Sequence, residues 1–466
     1  INGNTVSCTL SVYDSANGDI HTYTLDTPTA TTVTVARTAA GLITYANVTS
    51  LQVQGSAGGN TANIRGVLAA TPTTFIGTGG NYTFNVGTVG NSLANILGGL
   101  TLTGVAGSVA NLNDQGAAGA FTYTLTATTA QRTGTALITY SGMTGASGLT
   151  VNGAVGAGIV NVQSSASGTP INVVAGAGGG YTFNVGSAGN LLDGILGPVN
   201  LNGVAGSVLN VNDQASAAAN AYTVTSTTVQ RAGTALISYL GMTGASGVTL
   251  NAGTGGGTIG VASTAASPPV NLFAGSGSYT VNVGNGTGLG NINATGPVNV
   301  NGGTGTSSLN VNDASAAGPF TYTVTNSQIA RTGVGAINYV NIAGTITLNA
   351  AGTGSNTINV QSTAAVTAQT VINAGAGGAT VTVGQAGTLA NIASPLQVNA
   401  QGGTTNLILD DSTTSTGQTF TVTPTSVARS GIAAIGFNAA MTSVTINGGT
   451  AGDTFSVTPS VTTVFT

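Results

Sequence analysis

The stretch GPVNLNGVAGSVLNVND, Gly197 to Asp213, returns along the chain at nearly constant spacing, and that return decides the architecture before any local reading. Close copies read LTLTGVAGSVANLND at Leu100 to Asp114 and GPVNVNGGTGTSSLNVND at Gly296 to Asp313. Looser ones read PLQVNAQGGTTNLILDD at Pro395 to Asp411 and INGNTVSCTLSVYD at Ile1 to Asp14. Their final aspartates, Asp14, Asp114, Asp213, Asp313 and Asp411, lie 100, 99, 100 and 98 residues apart. Arg37, Arg132, Arg231, Arg331 and Arg429 keep step with them, as do Tyr45, Tyr140, Tyr239, Tyr339 and Phe437. So do YTFNVG at Tyr82 and Tyr181, YTVNVG at Tyr279 and ATVTVG at Ala379. The repeat units run approximately over residues 1–99 (divergent), 100–196, 197–295, 296–394 and 395–466 (partial).

A smaller period lies inside each unit. VNVNGG at Val298, ITLNAAG at Ile346, TVINAG at Thr370 and LQVNAQGG at Leu396 each read as a strand ending in Asn and a small residue, then a glycine turn. A second strand follows about 11 residues later, as in LNVND at Leu309, TINVQS at Thr357 and ATVTVG at Ala379. The spacing predicts turns of ~25 residues, four per unit, with FTYTVTNSQIARTG (Phe320 to Gly333) filling one of them. The expected fold is all-β: one continuous right-handed parallel β-helix over residues 1–466, with strands stacked at ~4.8 Å into a rod ~90 Å long. Its two ends would be open sheet edges that invite further stacking.

Composition narrows the function classes. All six basic residues are Arg, all ten acidic residues are Asp, and the net charge is -4, so there is no basic footprint for nucleic acid and no polybasic patch for anionic lipid. No apolar run approaches the ~18 residues of a membrane-spanning helix. Cys8 is the single cysteine, which rules out a disulfide within the chain and a thiolate metal cluster. Gly and Pro together make 85 of 466 residues, short of the roughly 25–30% of low-complexity chains. Val, Ile, Thr and Tyr favour strands, while Gly, Asn, Asp and Ser punctuate them. Ile1 falls inside one repeat and Thr466 inside another, as in a mature or excised segment of something longer.

The recurrent polar pair is the aspartate closing NVND with the arginine after it. Asp114 and Arg132, Asp213 and Arg231, Asp313 and Arg331, and Asp411 and Arg429 are each 18 residues apart, whereas Asp14 and Arg37 are 23 apart. Two readings stand: an ion pair across one rung that fixes register once per unit, or a row of binding sites repeated along the rod. Asn202, Asn301 and Asn399 recur at strand ends and are candidates for left-handed corners or for amides stacked from turn to turn.

Catalytic readings find little footing. Glycoside hydrolysis needs two carboxyl groups within ~10 Å, and aspartates four turns apart would be ~19 Å distant. Asp410 and Asp411 are adjacent but point to opposite faces of a strand. His21, with Asp14 and Asp19 near it, lacks a nucleophile signature. GGTAGDTFSV at Gly448 resembles the calcium-binding nonapeptide of RTX β-rolls, with Asp453 in the ligand position, but adjacent turns offer no acidic partner. No metal, cofactor or catalytic residue is assigned. Thr-x-Thr strands at Thr122, Thr321, Thr32 and Thr380 fit an ice-binding face locally but do not recur every turn.

The order VNGxxGSxxLNVND, YTxTxTxxxRxGxxxIxY, GxxLxVNxGxGxxTxxVxS, YTxNVG and LxNILGPVxVNG resembles repeats in very large surface proteins of environmental bacteria, planctomycetes especially. More distantly the chain resembles the solenoid stalks of adhesins and autotransporter passengers. The repeats of those large bacterial surface proteins often carry acidic GGDDT corners, which this chain has mostly lost. The resemblance implies a secreted, elongated scaffold at the cell surface. The expected function is therefore an extracellular structural rod or filament-forming protein, partnered by itself, and not an enzyme. The alternative is an adhesin-type module that contacts glycans through repeated Thr, Asn and Tyr faces.

Overall fold

Apolar residues at every second position, cut every few residues by glycine, leave the chain short strands to form, most of four or five residues. The computed structural model describes residues 1–3, 7–284, 286, 288–460 and 462–466. Among the described residues the only helical pieces are the single 3₁₀ turns Leu93–Asn95 and Leu289–Asn291. The chain divides into two compact units, Ile1–Asp213 with Thr228–Val248, and Gln214–Thr227 with Thr249–Thr466.

Each unit is built from two long sheets of mostly parallel strands, the arrangement of a β-solenoid, with consecutive strands passing from one sheet to the other. In the first unit Thr83–Val86, Val109–Asn113, Leu149–Asn152, Ile171–Val174 and Val199–Asn202 pair in that order. In the second, Ser308–Asn312, Thr345–Asn349, Gln369–Asn373 and Leu396–Asn399 do the same. Inward residues stack on their equivalents: Val160 on Phe183 on Leu209, and Val162 on Val185 on Val211, all fully buried. Each such side chain contributes about 1.5–3 kcal/mol through burial, so the core is a set of columns running across the strands.

The turns are not equal. Leu149 meets Ile171, Ile171 meets Val199 and Ala110 meets Leu149, steps of 22, 28 and 39 residues. The long step corrects the expectation of four similar turns. It holds an antiparallel three-stranded meander, Thr122–Leu125, Thr129–Arg132 and Ile138–Ser141, and the same element appears at Thr22–Asp26, Thr32–Arg37 and Ile43–Ala46, and at Thr321–Val324, Gln328–Arg331 and Ile337–Val340. Its outer strands keep parallel neighbours: Ile138 lies against Leu100 and Tyr123 against Val160. A short polar turn causes the reversal. Thr126 Oγ1 accepts the N–H groups of Thr128 and Thr129, and the Thr126 N–H donates to the Thr129 carbonyl at 2.8 Å. From Leu100–Thr103 to Thr182–Val185 one repeat holds nine strands. With the meander confined to one sheet, equivalent elements of successive repeats fall on opposite sheets: the meanders at Thr22 and Thr122 lie in different sheets of the first unit, and those at Thr321 and Thr419 in different sheets of the second.

Outward asparagines form amide ladders. Asn85 donates to Asn63 at 3.0 Å and Asn111 to Asn85 at 2.9 Å, while Asn349, Asn373 and Asn399 continue a ladder from Asn312 at 2.8, 2.7 and 3.0 Å. Asn399 therefore sits in a ladder, Asn301 accepts from Gly303 N–H and the Asn341 amide, and Asn202 is exposed with no side-chain hydrogen bond to a described residue. All three end strands with extended backbone. Among the described residues the left-handed asparagines are Asn47, Asn91, Asn190 and Asn341 instead, which lie in the connections where the chain turns sharply.

Candidate functional site: a buried Asp–Tyr–Arg network

Around Asp14, Asp114 and Asp313 the aspartate, a tyrosine and the arginine gather at the mouth of the meander. The aspartate directly follows a strand, Val109–Asn113 for Asp114, and its carboxylate turns inward. The tyrosine lies on the first meander strand and the arginine on the second, where Tyr123 faces Arg132 and Tyr322 faces Arg331 in register. Arg132 Nη1 reaches both oxygens of Asp114 at 2.8 and 3.1 Å, and the Tyr123 hydroxyl donates to Oδ2 at 2.6 Å. Arg331 and Tyr322 repeat this around Asp313 at 2.8, 2.7 and 2.6 Å. Arg231 Nη1 meets Asp213 at 3.0 Å to each oxygen. Asp114, Asp213, Asp313 and Asp411 are fully buried.

A fourth partner comes from the backbone. The leucine N–H of Leu93, Leu192, Leu289 and Leu389 donates to Oδ1 of Asp114, Asp213, Asp313 and Asp411 at 2.8, 2.9, 2.8 and 3.0 Å. The tyrosine hydroxyl in turn accepts an N–H from the following turn: Ala154 for Tyr123 and Ala351 for Tyr322, both at 2.9 Å. One carboxylate thus ties together a preceding loop, a meander and, through the tyrosine, a later turn.

The variations obey the same need to satisfy a buried charge. In the last repeat Phe420 replaces the tyrosine. Thr414 Oγ1 there donates to Asp411 at 2.6 Å, and Arg429 binds through Nε and Nη2 at 2.8 and 3.0 Å. Arg132 and Arg331 are covered by the rings of Phe121 and Phe320 at 4.1 and 4.2 Å, a cation–π contact. Where Asn220 takes that sequence position, Arg231 instead forms a second ion pair, Nη2 to Asp193.

Around Asp14, Arg37 Nη1 binds at 2.7 and 2.8 Å and the Tyr23 hydroxyl at 2.6 Å. Burial opposes ionisation of Asp14, but the Arg37 and Tyr23 hydrogen bonds and the arginine's charge outweigh it and hold its carboxyl below the usual range. Burial, reinforced by the neighbouring carboxylates, raises the hydroxyls of Tyr123 and Tyr322.

The other singled-out residues are separate from these clusters. His21 ring nitrogens meet Asn17 at 3.0 Å and Thr38 at 3.4 Å, with no carboxylate in hydrogen-bond reach. Asp453 accepts the N–H of Gln418 at 2.8 Å and of Gly449 at 2.7 Å, the first of these being the corner role that Asn60 and Asn356 play toward His21 and Phe320. Among the described residues no three metal-ligating side chains gather. All six arginines are paired with aspartates, Arg65 with Asp26 completing the set.

The tyrosine and the leucine N–H were the partners hidden in the sequence. The tyrosine had a signal: it follows its aspartate by nine residues at Tyr23, Tyr123, Tyr222 and Tyr322, even in the first repeat, where the arginine is displaced. The leucine donor is backbone, which no residue type marks. No family model matches the chain, and comparison with curated proteins and with solved structures returns no match.

Proposed function

We propose that this chain is an extracellular structural repeat protein, a rod or filament component of a cell surface or fibre that stacks end to end on copies of itself. The observation that carries the reading is the burial of its most regular polar constellation. Four aspartates with no exposed surface spend their oxygens on arginine, hydroxyl and backbone donors, so the repeated chemistry secures register between turns and leaves no charge for a substrate. The right hand expected of parallel crossovers is the hand we assign to the coil within each unit. Among the described residues no helix is long and apolar enough to cross a membrane. Electron microscopy of native material tests the reading: continuous fibres with a ~4.8 Å layer line support it, and isolated particles at high concentration overturn it.

A surface groove favours a second reading, glycan binding. In the second unit a cavity of about 370 Å³ is lined by Phe273, Val340, Tyr339 and the ladder Asn271, Asn299 and Asn338. Phe273 is 43% exposed on an outward strand position. An aromatic face beside a row of amides suits the apolar and hydroxyl faces of a sugar ring. A glycan array that shows binding lost in Phe273→Ala would favour this reading over the structural one.

A further inference from the structure

The dipeptide Asn17–Gly18 brings three groups around one side-chain amide. His21 Nε2 lies 3.0 Å from Asn17 Nδ2, and the Asp19 N–H donates to Asn17 Oδ1 at 2.9 Å. The imidazole is held in place. The His21 N–H donates to Asn60 Oδ1 at 2.6 Å, its carbonyl accepts the Thr61 N–H at 3.1 Å, Nδ1 faces Thr38 Oγ1 at 3.4 Å, and the ring stands edge-on to that of Tyr23. Gly18 is exposed, a Cβ on it would meet nothing within 4 Å, and its N–H donates to no described residue. That nitrogen is free to close a five-membered ring on Asn17 Cγ.

Among the described residues the other Asn-Gly pairs lack one or both of these features. The N–H groups of Gly3, Gly153, Gly203 and Gly302 donate to the carbonyls of Ala46, Val174, Leu240 and Val340 at 2.8–2.9 Å, so attack there must first break a bond between turns. The Gly448 N–H donates to no described residue, but the chain's one histidine sits against Asn17 and not against Asn447. The pair also differs from its counterparts in the repeat. Counted from the aspartate, the positions of Asn17 and His21 hold Ala117 and Phe121, Ser216 and Asn220, Ala316 and Phe320, and Thr414 and Gln418. Asn220 donates to Ser216 at 2.9 Å, the same contact across four residues. The fold thus brings the two positions together, and the first repeat places an imidazole against a carboxamide there.

We propose that Asn17–Gly18 is a self-modifying site, at which His21 and the Asp19 N–H drive conversion of Asn17 to aspartate and isoaspartate. The Gly18 nitrogen adds to Asn17 Cγ, and its proton passes to water. The charge that develops on Oδ1 is met by the Asp19 N–H. Nδ2, now an amine, takes a proton from Nε2 of the imidazole, which is itself protonated from water; the Cγ–Nδ2 bond breaks and ammonia leaves. Water then opens the succinimide, at Cγ to give aspartate or at the backbone carbonyl to give isoaspartate. Either product adds a negative charge three residues from Asp14, and isoaspartate also lengthens the backbone of the loop whose Asn17 carbonyl accepts the Ala57 N–H.

Incubation of the full chain in neutral buffer, followed by peptide mass spectrometry that separates aspartate from isoaspartate, tests the site. Asn17 should convert at least about tenfold faster than Asn152, Asn202, Asn301 and Asn447, a lead within the about 10²–10⁴-fold that a positioned acid supplies. His21→Gln, with unchanged circular dichroism, should abolish that lead. The wild-type chain unfolded in urea gives a second measurement that does not depend on a variant folding: there Asn17 should slow to the pace of the other Asn-Gly pairs. Conversion of Asn17 no faster than Asn447, an unchanged rate in folded His21→Gln, or a rate at Asn17 that rises on unfolding overturns the proposal.

Discussion

Ala39 carries a penalty that its counterparts escape. Two residues after the arginine the second hairpin of the meander turns through a left-handed residue: Gly134, Gly233, Gly333 and Gly431 have φ of 81–87°, and Ala39 has φ 62°. A Cβ on any of the four glycines would meet nothing within 4 Å, so the cost at this position is conformational and not steric contact. Ala39→Gly should raise stability and Gly134→Ala should lower it, each by about 1 kcal/mol in denaturant titration. The tyrosines set the response to alkali. Burial is the main cause that pushes Tyr82 up to about 12 and raises Tyr123 and Tyr322 as well. A hydroxyl whose folded pKa lies above its unfolded value of ~10 contributes stability that is whole below pH ~10 and lost as pH rises through the folded value. Spectrophotometric titration should therefore find the buried tyrosines silent at pH ~10, ionising together with unfolding at higher pH. Asp14 runs the other way: its stabilisation is present above pH ~3.9 and disappears as pH falls through its lowered value.

At the scale of elements, the amide ladders and the meander show where sequence reading works and where it stops. Asn349 donates to Asn312 and accepts from Asn373, half-buried between them, so Asn349→Ala should cost about 1–3 kcal/mol, two ordinary hydrogen bonds. Asn202→Ala, which removes no such bond, should stay within about 0.5 kcal/mol. Denaturant midpoints of the two variants make the comparison. Strand alternation, the ~99-residue period and the 18-residue spacing from aspartate to arginine were all visible in residue identities, because burial on one face and repeated charge leave marks on the chain. The reversal of pairing direction inside the meander was not. YTVTNSQIAR alternates in the same way whether its neighbour runs parallel or antiparallel, and only the Thr325 to Gln328 turn, closed by a backbone bond at 2.9 Å, decides for the hairpin. The leucine hooks read as ordinary apolar residues since their polar contribution is a peptide N–H.

For the whole molecule, the question is how far a local break travels. In an array in which each turn bonds mainly to its neighbours, stability is a sum of local and nearest-neighbour terms. The Asp313 carboxylate joins Leu289, Arg331 and Tyr322, and through Tyr322 it reaches Ala351, a span of about two-thirds of a repeat. Asp313→Ala removes the acceptor for three donors and leaves a buried guanidinium unpaired, a loss of about 3–5 kcal/mol. Hydrogen exchange should show that loss as faster exchange at the amides of Leu289 and Ala351 and along the Thr321–Val340 meander. The Leu93 and Ala154 amides, which belong to the Asp114 network of the other unit, should keep their protection. Uniform loss of protection across both networks would mean that the chain unfolds as one cooperative block, and the aspartates would then be supports of a single core and not separate locks between turns.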